Sequence, residues 1–60
     1  MHEWRGTRDE LVTELRRAAD GWIHYGKPHL AAEARNGVEE LETGGSSVQV
    51  GHAKYVVTED

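Results

Sequence analysis

Among 60 residues there is no cysteine, no phenylalanine and only one proline. The missing cysteine rules out disulfides and thiolate metal sites, and it fits a reducing compartment, so the cytoplasm is the expected location. The missing phenylalanine leaves most of the large apolar volume to Trp4, Trp22, Tyr25 and Tyr55. No apolar run approaches the roughly 20 residues of a membrane span, and no charged-then-apolar start resembles a signal peptide. A positive excess is missing too. With a net charge of −4 and a pI near 5.5, the chain lacks the footprint of a sequence-independent nucleic-acid binder.

A chain of this length is read as one domain over residues 1–60, burying only about 60% of its unfolded surface. Ordering each residue costs roughly 1.5 kcal/mol, nearly all that apolar burial returns, so small folds commonly lean on a disulfide, a metal or another chain. With thiol chemistry excluded, a second copy is the expected brace. Five arginines stand against two lysines, and glycine, alanine, valine and glutamate are frequent, a balance suited to a high-GC bacterium or one of its phages.

Residues 1–6 carry no period and are expected to form an N-terminal arm. Thr7-Arg8-Asp9-Glu10 has the pattern of a capping box and opens a helix. Leu11, Leu15, Ala18, Trp22 and Tyr25 then form one stripe, flanked by Val12, Ala19 and Ile23. Gly26, followed by Lys27-Pro28, ends it. Gly21 lies inside this helix, where about 1 kcal/mol relative to alanine implies a close neighbour or a bend. Pro28 opens a second helix with the stripe Leu30, Ala34, Gly37, Val38 and Leu41, and its small centre predicts that Trp22 or Trp4 inserts against Gly37.

After Gly44-Gly45, the segment Ser46 to Val57 reads as a hairpin turning at Gly51-His52. Val50 then faces Ala53 and Val48 faces Tyr55. The expected fold is therefore α+β in the order ααββ: an antiparallel helical hairpin over about 7–25 and 28–42, then a C-terminal β-hairpin over about 46–50 and 53–58, with a frayed end at 58–60. The free edges of that hairpin predict a twofold dimer with a four-stranded sheet backed by four helices.

Chemistry-bearing constellations are sparse. His24 and His29 bracket the interhelical turn, and Glu33 is the best third ligand, but no tight two-histidine zinc spacing occurs. His24 reads as a helix-end residue and His29 as a first-turn surface residue. Glu39 with Glu40, and Glu10 with Glu14, show none of the contrast in environment that acid/base catalysis needs. Ser46 and Ser47 lack the nucleophile elbow and a partner base. No catalytic residue, cofactor site or metal site is assigned, and no enzyme activity is expected.

What remains is binding. The expected function is a non-catalytic, homodimeric protein-interaction module, an accessory or inhibitory protein docking on a larger partner, with Trp4, Trp22, Tyr25, Tyr55 and Val56 as interface candidates. The alternative is a dimeric nucleic-acid-binding regulator that contacts phosphates through Arg5, Arg8, Arg16 and Arg17. Interspersed Glu3, Asp9, Glu14 and Asp20 weigh against it.

Overall fold

In a computed structural model that describes residues 2–59, the chain runs β1 (His2–Thr7), α1 (Arg8–His24), α2 (Pro28–Glu42), β2 (Ser47–Val50) and β3 (Ala53–Glu59). The three strands form one mixed sheet in the order β1-β3-β2, with β1 parallel and β2 antiparallel to β3. This corrects the expected ααββ order and its free-standing C-terminal hairpin. The segment read as an arm supplies β1, so β3 has a neighbour on both sides. Of the end expected to fray, Thr58 and Glu59 belong to β3, while Met1 and Asp60 lie outside the described residues.

Thr7 joins strand to helix without a loop. It is both the last residue of β1 and the N-cap of α1. The Glu10 amide donates to its hydroxyl at 3.2 Å, and its own amide donates to the Glu10 carboxylate at 3.2 Å. Two of the four free amides at the helix start are satisfied this way.

Both helices end on a left-handed glycine. Gly26 has φ +76°, and the Lys27 amide reaches back to the Trp22 carbonyl at 2.8 Å while the Gly26 amide donates to Ile23 at 3.1 Å. Gly44 has φ +108°, with the matching bonds from Gly45 to Glu40 at 2.8 Å and from Gly44 to Leu41 at 3.3 Å. These are paired Schellman closures, and side chains other than glycine are strained at the positive φ they require. A Cβ on Gly45 would lie 2.8 Å from the Glu40 carbonyl oxygen, so that position tolerates no side chain either.

The helices cover one face of the sheet, α1 over β1 and β3, α2 over β2. Leu11, Val12, Leu15 and Ala19 of α1 meet Ala31, Ala34, Val38 and Leu41 of α2 above Val48, Val50 and Tyr55. Leu15 and Leu41 are the large side chains buried completely. The hairpin register is as the turn chemistry implies, with Val48 opposite Tyr55 and Val50 opposite Ala53.

Two packing expectations need correction. Gly37 lies against the sheet, not an indole. A Cβ there would meet Val48, Leu15 and Val50 at 3.3 to 3.5 Å, so the missing side chain lets α2 approach β2. Around Gly21, among the described residues, nothing lies within 4 Å of the corresponding point, so of the two readings the close neighbour is the one that falls. The projected four-stranded dimer sheet also fails, because three strands already come from one chain and the free flank of β3 is occupied by β1.

Arg8 ties the two halves together. Its guanidinium donates to the Leu41 carbonyl and, at 2.7 Å, to that of Gly45, joining the start of α1 to the last turn of α2. Hydrogen bonds from a charged donor contribute about 1.5 to 3 kcal/mol when partly buried. Arg8→Ala is therefore expected to lower unfolding free energy by about 2 kcal/mol in urea denaturation. An unchanged midpoint would show that this junction is dispensable.

Candidate functional site

Among the described residues, no strand pairs with the outer edge of β1. The His2 amide donates to the His52 carbonyl at 3.0 Å, which fixes the alternation of the parallel ladder. Backbone groups of His2, Trp4 and Gly6 point into the sheet toward β3, and those of Glu3 and Arg5 point outward. The other edge strand, β2, is only four residues long.

Side chains on β1 divide by face. Glu3 and Arg5 lie on the face away from the helices, where the Arg5 guanidinium bonds the Glu3 carboxylate. Trp4 lies on the helical face, stacked on Tyr55 with ring centroids 6.4 Å apart and planes 9° from parallel. Tyr55 is buried beneath α1, yet Trp4 keeps 44% of its surface exposed. Beside it a groove of about 440 Å³ runs between β1 and the first turns of α1. Trp4, Arg5, Leu11 and Thr13 line it together with the carboxylate-bearing Asp9, Glu10 and Glu14.

The expected interface residues fall into two groups. Trp4 and Tyr55 stack, and Val56 is half-buried on the open face as the register partner of Arg5. Trp22 and Tyr25 belong instead to the interhelical end, where with Ala18 and Gly21 they line a shallow hollow of about 210 Å³. There Tyr25 is 76% exposed, and the Lys27 ammonium sits 5.9 Å from the Trp22 ring.

The arginines do not converge on one surface. Arg5 faces Glu3, Arg16 pairs with Glu42 at 3.0 Å, Arg17 lies 3.7 Å from Glu14, and Arg8 caps α2. Exposed pairs of this kind stabilise little, but each places a carboxylate or carbonyl where a phosphate would have to bind.

Histidines gather differently from the expected pairing. A second cleft, about 540 Å³, is walled by Trp22, Leu30, Val50 and Tyr55, and His2, His29, His52 and Lys27 also line it. His24 is not among its lining residues and instead meets Tyr25 edge-on at 5.8 Å. Among the described residues, no group of three or more histidines and carboxylates is arranged to hold a metal ion. No described helix is long and apolar enough to cross a membrane.

No protein-family model matches the chain, and no curated protein or solved structure is significantly similar to it. The site therefore rests on its own geometry. Trp4 is an interface candidate on composition alone, whereas Glu3 and the outward backbone of Arg5 carry no such compositional signal in the sequence. The available signal was an aromatic residue between two opposite charges, a pattern that also suits an exposed strand edge.

Tyr55 carries a further consequence of this packing. Burial raises its phenolic pKa above the ordinary 10.0, and the Glu14 carboxylate adds to the rise. The unfolded chain gives up this proton near pH 10 and the folded chain only above that. Its contribution to stability is thus complete below about pH 10 and is lost as pH climbs through the folded-state value. Tyr55→Phe is expected to show a shallower loss of stability than the parent between pH 9 and pH 11 in urea titrations. Identical alkaline slopes would contradict this placement of the phenol.

Proposed function

We propose that the protein is a non-catalytic interaction module that captures an extended chain segment along the outer edge of β1. One observation carries the reading: Glu3 and Arg5 present their backbone donors and acceptors outward on a six-residue strand with no proline. Natural sheets usually blunt such an edge, because unpaired strand backbone invites addition of another strand. Main-chain hydrogen bonds would supply affinity, and alternate side chains would enter the groove beside Trp4 to supply selectivity. The lack of cysteine supports a cytoplasmic setting.

The nucleic-acid alternative has less support, since Arg5, Arg16 and Arg17 face carboxylates and Arg8 is a structural cap. Among the described residues, no catalytic constellation supports an enzyme reading. A histidine-lined cleft alone assigns no reaction.

Proline at position 3 separates edge binding from folding. The Glu3 N–H points away from β3, so Glu3→Pro removes no bond of the native sheet while deleting a donor an incoming strand needs. Capture from a high-GC bacterial or phage-infected extract should be strong for the parent chain and at least about tenfold weaker for a folded Glu3→Pro variant. Equal capture by both would overturn edge addition.

A further inference from the structure

We infer that a second copy of this chain occupies the β1 edge, antiparallel about a twofold axis through Trp4, making one continuous six-stranded sheet. This inference rests on the edge-binding reading and names the partner it takes.

Backbone parity restricts the register. Only residues with outward N–H and C=O groups can form the hydrogen-bonded pairs of an antiparallel ladder, and on β1 these include Glu3 and Arg5. Three twofold registers bring them together. One sets Glu3 opposite Glu3 and another sets Arg5 opposite Arg5, so each places like charges face to face. The third, centred on Trp4, sets each Glu3 opposite the Arg5 of the other copy. It alone makes two opposite-charge pairs across the seam.

The helical face agrees with this register. Trp4 of each copy becomes a close, non-hydrogen-bonded pair on the side that carries the helices. Each indole can then enter the groove beside the other copy's Trp4 and Leu11, where Glu10 and Glu14 supply acceptors for its N–H. The 44% exposure of Trp4 in the single chain is what this exchange would remove. Helices stay on one face of the extended sheet.

Charge reversal tests the register directly. Glu3→Arg gives a chain with arginine at both positions, and Arg5→Glu gives one with glutamate at both. Each single variant should dimerise about tenfold or more weakly than the parent in sedimentation equilibrium, with unchanged far-ultraviolet dichroism. An equimolar mixture of the two should regain dimer, because every arginine then faces a glutamate across the seam. Neither chain has its internal Glu3–Arg5 contact restored, so recovery in the mixture can arise only between chains. A parent chain that stays monomeric up to millimolar concentration overturns the second-copy occupant while leaving capture sensitive to Glu3→Pro intact. A dimer indifferent to both reversals, or a mixture that stays monomeric, overturns the register.

Discussion

The fold depends on β3 lying between two strands. A two-stranded hairpin is marginal in water, and β2 contributes only four residues to it. Parallel pairing with β1 adds a third strand and brings the beginning and end of the described chain side by side. Tyr55 sits at the centre of this arrangement, opposite Val48 on one flank and Trp4 on the other, with the helices above it. Loss of β1 would expose that ring and leave α1 without the strand that leads directly into its cap.

Local chemistry was legible wherever one residue type has one geometric answer. The capping box at Thr7 and Glu10, the left-handed glycine at 26 and the start of α2 at Pro28 all stand where their stereochemistry puts them. Register in the β2-β3 pair followed from a two-residue turn and alternating valines. Nothing comparable marks β1. His2-Glu3-Trp4-Arg5-Gly6-Thr7 has one large apolar residue, alternates only weakly and is exposed for most of its length. Its strand conformation comes from pairing with residues about fifty positions away, a non-local effect that no short-range pattern encodes.

The same non-locality explains what was misread in the site. Arg8 looks like an available basic side chain until the last turn of α2 is folded against it. Gly37 resembles a socket for an indole, but β2 arrives there first, with Val48 and Val50 filling the contact. Trp4 was visible as an aromatic without a stripe. Its partner was not, since stacking on Tyr55 requires β1 to be in the sheet. Once it is, the charges on either side of Trp4 acquire a direction, both on the face away from the helices.

Amide hydrogen exchange resolved by residue tests the three-stranded sheet most directly. At concentrations where the chain is monomeric, the Trp4 and Gly6 amides should exchange slowly, as those within β3 do, while Glu3 and Arg5 exchange fast. Exchange of all four at the rates of an unstructured peptide would contradict the placement of β1 and everything built on it.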